Sequence, residues 1–344
     1  MQMLDQRSKK VLHAVVESYI NVPDPVGSRM VTKRYSFGLS PATIRNIMAD
    51  LEEMGFLTQP HTSAGRVPTD SGYRFYVDLL MAEGDCRSNI DILREVYKKL
   101  EALKNNIDMF LGETTRTISI LSHYLGVAMS PGINMTILKR IELLKFRTNK
   151  VAAIVFTDEG LVKNKVISLD SEVTQKDLNR ITGYLNSEFS GHTFDKIRLT
   201  VLKEMSKEKT KCDRLISKAM RICREALSFI HSDLFVSGLS EVLDLPDFAD
   251  LKKIRELSRA IEDKHTIIKL LDKISEFDGV QVVIGSENSM DEMKKLSLVV
   301  STCKEGDRPV GVVGIIGPTR MDYEKAIYIV DNTAKFVSKI LAER

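Results

Sequence analysis

The sequence predicts an α+β multidomain protein: an N-terminal winged helix-turn-helix, an antiparallel-sheet domain, and a mainly helical domain inserted into that sheet domain. Three observations carry this expectation. The first 84 residues run helix, helix, helix, hairpin in their caps, apolar spacing and turn residues. Strand-like runs at 150–169 and 280–316 are separated by a helical segment, Thr174 to Phe189, and a mostly helical block, Thr193 to Glu276. The 344 residues suffice for two or three domains, each with its own core. Expected boundaries are 1–84 for the winged helix, 85–192 with 277–344 for the sheet domain, and 193–276 for the insert.

Asp5 caps a first helix in which Leu12, Val15, Val16 and Tyr19 recur at helical spacing, and Pro23 and Pro25 end it. Gly27-Ser28 opens a short second helix to about Tyr35, and Ser36 to Leu39 is a tight connection. Ser40 is a good N-cap, and Pro41 falls at the first helical position, where its missing N–H costs nothing. Ile44, Ile47, Met48 and Leu51 then form a buried stripe that Gly55 terminates. Phe56 to Gln59 and Arg66-Val67 read as two short strands around a polar, glycine-bearing loop. Thr69 caps the helix that follows, and Glu83-Gly84-Asp85 marks the domain exit.

From Asp91 to Gly126, Leu93, Val96, Leu100, Leu103, Ile107, Phe110, Thr114, Ile118, Leu121 and Leu125 alternate spacings of three and four. One long helix is expected there, its narrow stripe serving equally well as an interchain seam or as contact with its own domain. Val151 to Phe156 and Leu161 to Leu169 form a hairpin around Asp158-Glu159-Gly160, and strands follow at Val280–Ile284, Leu296–Cys303 and Val310–Ile316 before a last helix over Asp322–Ala342. In the insert, Ile254, Leu257, Ile261, Ile268 and Leu271 make an apolar stripe suited to a dimer contact or to the insert's own core.

Composition excludes several classes. No run approaches the roughly 18 apolar residues of a membrane span, and the first ten residues are too polar for a secretory signal, so a soluble, cytoplasmic protein is expected. Cys86, Cys212, Cys223 and Cys303 make no C-x-x-C pair, and neither they nor the scattered histidines suggest a metal site. No cofactor motif and no nucleophile–base pairing is evident. Gly311 to Arg320 resembles a glycine-rich turn entering a helix, where an anion could sit, so a ligand-responsive regulator or enzyme is the alternative. That stretch lacks both the phosphate-loop and the dinucleotide-binding patterns, and glycines in a close-packed strand account for it better.

Net charge is only +3, but its distribution matters more. Between Asp24 and Asp50 lie Arg29, Lys33, Arg34 and Arg45 with no acidic residue among them. Opposite the third helix's buried stripe stand Ala42, Arg45, Asn46 and Ala49, with Thr43 at the edge. These types suit a major groove: Arg bonds guanine, Asn bonds adenine, and small or methyl-bearing side chains rest on thymine methyls. Ser40 and Thr43, at the helix start, suit a phosphate, as do Lys33 and Arg34 at the end of the second helix. His61, Thr62, Ser63 and Arg66 around the loop suit a minor groove or its flanking phosphates.

Whole motifs narrow the choice. Pro25 to Arg29, Leu39 to Asn46 and Gln59 to Asp70 closely resemble the HrcA family of heat-inducible transcription repressors, as do Thr157 to Gly160, Ile284 to Asn288 and Gly317 to Tyr323. The resemblance spans nearly the whole chain, with the inserted block matching loosely. It implies a non-enzymatic repressor of chaperone operons that binds an inverted repeat of double-stranded DNA as a homodimer. It also implies that the sheet domain is GAF-like, that the insert dimerises, and that activity is maintained by the GroE chaperonin and lost on heating.

Overall fold

A computed structural model describes residues 4–62, 64–83, 97–104, 106–130, 137–158, 162–169, 172–207, 214–227, 234–274, 277–288, 290–306 and 308–342. The chain divides into two compact units, Met1–Met129 with Leu234–Arg344, and Ser130–Asp233.

The first unit opens with α1 (Gln6–Asn21), α2 (Ser28–Arg34) and α3 (Pro41–Glu53), followed by the antiparallel pair β1 (Leu57–Thr58) and β2 (Val67–Pro68) and by α4 (Asp70–Glu83). Asp5 caps α1 by accepting from the Ser8 amide at 2.7 Å, as its position before the apolar repeat predicts. Leu12, Val15, Val31, Ile44 and Leu51 are fully buried where the three helices meet. Each such aliphatic side chain contributes about 1.5–3 kcal/mol by leaving water.

Beyond this lies a helical turn at residues 97–101, then α5 (Ile107–Ser122) and β3 (Leu125–Met129). The single helix expected over Asp91–Gly126 is therefore interrupted after residue 101 and ended before Leu125, while its first residues, 91–96, lie outside the described residues. Asn106 caps a fresh helix by accepting from the Met109 amide, and His123 ends it in the left-handed conformation. Leu125 to Met129 is a wholly buried strand, so Leu125 leaves the supposed seam and pairs in a sheet.

The second unit holds β4 (Leu138–Arg147), β5 (Lys150–Thr157) and β6 (Val162–Ser168) in one antiparallel sheet, with α6 (Gln175–Phe189), α7 (Phe194–Lys207) and α8 (Arg214–Leu227). Ile141, Leu143, Val151, Val155 and Ile167 on one face pack with Leu178, Ile181 and Leu185 of α6 in a separate core. The outer edge of β4 is closed by side-chain amides of α6. Asn186 exchanges two hydrogen bonds with the Ile141 backbone at 2.8 and 2.9 Å, and Gln175 bonds Lys145 N and Leu143 O.

The chain then re-enters the first unit through β7 (Leu234–Ser237), α9 (Leu239–Leu243), α10 (Leu251–Glu262), α11 (Lys264–Ile274), β8 (Val280–Ile284), β9 (Leu296–Glu305), β10 (Arg308–Pro318) and α12 (Tyr323–Ala342). Its antiparallel sheet has the order β7-β3-β10-β9-β8, with α5 and α12 packed on it and on each other. The expected boundaries are thus redrawn. The inserted unit is Ser130–Asp233 rather than 193–276, and the hairpin expected to belong with the C-terminal strands sits in it. Residues 234–276 belong to the first unit. Their apolar stripe is spent inside a single chain: Leu257 and Leu271 are fully buried, and Ile254, Ile261 and Ile268 pack against the same core.

Candidate nucleic-acid interface

The start of α3 is set by Ser40, whose Oγ accepts from Thr43 N at 3.1 Å and lies 2.9 Å from Thr43 Oγ1. From that start, helical spacing sends Ile44, Met48 and Leu51 into the core and leaves Ala42, Arg45 and Asn46 exposed on the opposite face. Thr43 and Ile47 are half-buried at its edges.

Arg29, Lys33 and Arg34 on α2 are exposed. The Arg34 guanidinium lies 5.8 Å from the Tyr35 ring centre. Tyr35 in turn stacks on Phe37 and donates to Glu17 Oε2 at 2.8 Å, tying the end of α2 to α1. Among the described residues, Arg29, Lys33 and Arg45 enter no ion pair, so their charge is uncommitted. A stretch without acidic neighbours produces this, because no carboxylate within it competes for the cations.

His61 and Thr62 are exposed on the hairpin loop, and Ser63 lies outside the described residues. Gln59, which the sequence reading passed over, shapes that loop: its Nε2 donates to Thr62 O and Ala64 O, both at 2.9 Å. An amide-bearing side chain at the root of a glycine-containing loop was the available signal. Arg66 does not extend outward as expected. Its backbone exchanges hydrogen bonds of 2.8 and 2.9 Å with Val26, and its Nε stands 2.8 Å from Glu52 Oε2, with the side chain only 17% exposed. The Glu52 carboxylate on α3 stands beside the guanidinium as its counter-ion, and this ion pair ties the hairpin base to that helix. Gly65 permits the approach, since a Cβ there would meet the Val26 carbonyl at 2.5 Å.

The glycine-rich stretch forms no anion-binding turn. It lies in β10, hydrogen-bonded to β3 on one side and β9 on the other. A Cβ on Gly314 would meet Val299 O at 2.6 Å, so glycine there serves close strand packing. Cys223 and Cys303 are free and buried, and burial pushes both thiols up to about 12, far from a reactive thiolate. Cys86 and Cys212 lie outside the described residues. Among those described, no group of His, Cys, Asp and Glu could hold a metal ion, and no helix is long and apolar enough to cross a membrane.

Comparison with known proteins places the chain among its relatives. The family model described as the HrcA protein C-terminal domain matches residues 108–327. A relative named heat-inducible transcription repressor HrcA, from Thermodesulfovibrio yellowstonii, is 46% identical over 99% of both chains. One of the same name from Geobacter sulfurreducens is 42% identical, again over 99% of both. A crystal structure titled only as a hypothetical protein shares the fold, with a TM-score of 0.63, 22% identity and 99% of each chain covered. The chain is therefore a transcription repressor, a class of protein that is not enzymatic. It belongs to the HrcA family of heat-inducible transcription repressors.

Proposed function

We propose that the chain represses heat-shock chaperone operons in the cytoplasm by binding an inverted-repeat operator as a homodimer. In this reading α1 to α3 and the β1–β2 hairpin act as a winged helix, with α3 in the major groove. The observation that carries it is the division of α3. Ala42, Arg45 and Asn46 face solvent, with Arg45 in no ion pair among the described residues, while Ile44, Met48 and Leu51 anchor the other side. Arg45 and Asn46 are assigned to base edges, with Ala42 and the Thr43 methyl against thymine methyls. Arg29, Lys33, Arg34 and the Ser40 helix start go to phosphates, and His61, Thr62 and Ser63 to the neighbouring minor groove. Arg66 is assigned to holding the hairpin rather than to touching DNA, on the strength of its pairing with Glu52.

Two copies on a two-fold axis match a palindrome and sum their contacts. The outer face of the β4–β5–β6 sheet supports the pairing. Leu144, Ala152 and Val166 align across it, beside Ile154, Phe156 and Val162, and Leu144, Val162 and Val166 are about half exposed in the single chain. The five-stranded sheet and its helices are assigned the GAF-like role. Kinship with proteins named heat-inducible repressors supports loss of operator binding on heating, and upkeep by the GroE chaperonin is part of the same proposal.

The test is a gel-shift titration against an inverted-repeat chaperone-operon duplex and a scrambled duplex, with the mass of the complex measured by light scattering. Tight binding to the repeat by two copies is expected. Equal affinity for both duplexes, or binding by one copy, overturns the proposal.

A further inference from the structure

Two of the motifs quoted above, Ile284 to Asn288 and Gly317 to Tyr323, contain none of the proposed DNA-facing residues, yet each bonds one of the N-terminal helices. Asp70 and Arg74, in the first half of α4, grip the turn after β8. Asp70 Oδ2 accepts from Ser286 N at 2.8 Å. Arg74 donates through Nε and Nη2 to the two oxygens of Glu287, at 2.7 and 2.5 Å, and through Nη2 to Val282 O. Gly285 admits the Asp70 carboxylate where a Cβ would stand 2.5 Å from it.

A second grip lies on α1. That helix has no basic residue in its last turn, and its closing carbonyls need partners. Arg320 supplies one from β10's exit: Nη1 donates to Ile20 O at 2.5 Å, while Nε and Nη2 donate to the Asp247 carboxylate at 3.2 and 2.6 Å. Arg320 is only 11% exposed and Asp247 21%. Between the grips, the Tyr73 and Tyr323 rings lie 5.9 Å apart.

From this arrangement, and resting on the winged-helix reading, we infer that Arg74, Glu287, Arg320 and Asp247 are positioning residues. They hold the DNA-reading helices in one orientation on the five-stranded sheet and so set the half-site spacing the dimer accepts. One contact would leave a pivot, whereas two on different helices remove it. A pre-set orientation raises the effective concentration of the second reading head at one spacing and lowers it at others. The carboxylates and guanidiniums act through geometry, without touching DNA.

The test uses full-length protein and three sets of duplexes: a single half-site, the operator repeat, and repeats with spacers altered by up to half a helical turn, about 5 base pairs. Wild type is compared with Arg320→Lys, which keeps the charge but loses the two-pronged grip, and with Glu287→Gln. Both variants are expected to bind the half-site like wild type, which also shows that their reading heads are folded. Their preference for the native spacer over the altered ones is expected to fall by at least about tenfold. Wild type indifferent to spacing, or variants that keep the full preference, overturns this inference while leaving the DNA-reading assignment intact. Variants that lose half-site affinity in step with operator affinity overturn it too. Failure of wild type to prefer any operator duplex overturns both.

Discussion

On the outer side of the N-terminal helices, Arg29, Lys33 and Arg45 enter no ion pair among the described residues. On the inner side, Arg74 and Arg320 each grip a carboxylate and a backbone carbonyl. Arginine stands on both sides, so its work is decided by what stands within reach. A guanidinium with a carboxylate at hydrogen-bond distance is committed to structure, whereas one on a face without acids keeps its charge for a polyanion. Arg66 shows how little separates the two cases: it sits on the hairpin, yet Glu52 claims it.

The sharpest way to break this comparison is to remove a committed arginine. Arg320→Ala strands the Asp247 carboxylate and leaves the Ile20 carbonyl without its donor. Urea denaturation is expected to show a loss of about 3 kcal/mol, the low end for a broken buried pair because Asp247 keeps some exposure. Replacing Arg320 and Asp247 together by Met and Leu is expected to restore most of it, since two apolar groups leave no unpaired charge. An unchanged midpoint in the single variant removes the grip from the list of stabilising contacts.

Next in size is the hairpin base. Gly65→Ala places a methyl against the Val26 carbonyl, and overpacking against backbone costs about 2–3 kcal/mol. The cost falls on the two bonds between Val26 and Arg66, so their amides are expected to exchange with solvent about a hundredfold faster. Exchange at the wild-type rate contradicts the tight fit.

How far these roles were legible in the sequence follows from how local their causes are. The cap at Ser40, the stripe of α3 and the loop around Gly65 depend on neighbours a few residues away, and all were readable. The grip of Arg320 on Ile20 spans 300 positions in the chain and leaves no local trace. The same limit hid the inserted unit. Its hairpin was visible, and β4 joins β5 through a two-residue turn, but that these three strands form a sheet apart from the C-terminal strands is a non-local fact. The start of β3 was misread for a different reason, since Leu125 and Gly126 at the end of a periodic helix read as more helix until the partners β10 and β7 are known.

On the outer face the expected effects are felt by DNA rather than by the fold. Arg45→Ala and Asn46→Ala are each expected to cost about 1–3 kcal/mol of operator binding and to relax base preference at one position, while the urea midpoint stays put. Competition with duplexes mutated at single positions measures this. Loss of affinity that is uniform over all sequences reassigns the residue to a phosphate.

Lys33 gives the smallest effect and tests the uncommitted cations most directly. With no ion-pair partner among the described residues, its ammonium can be removed without stranding a described carboxylate, so Lys33→Ala is expected to change stability by less than about 0.5 kcal/mol. If it lies on a phosphate, its loss weakens specific and scrambled duplexes alike and flattens the dependence of log affinity on log salt by about one unit per site. A salt titration that returns the wild-type slope makes Lys33 an ordinary solvated side chain. The contrast between the two faces would then rest on Arg29 and Arg45 alone.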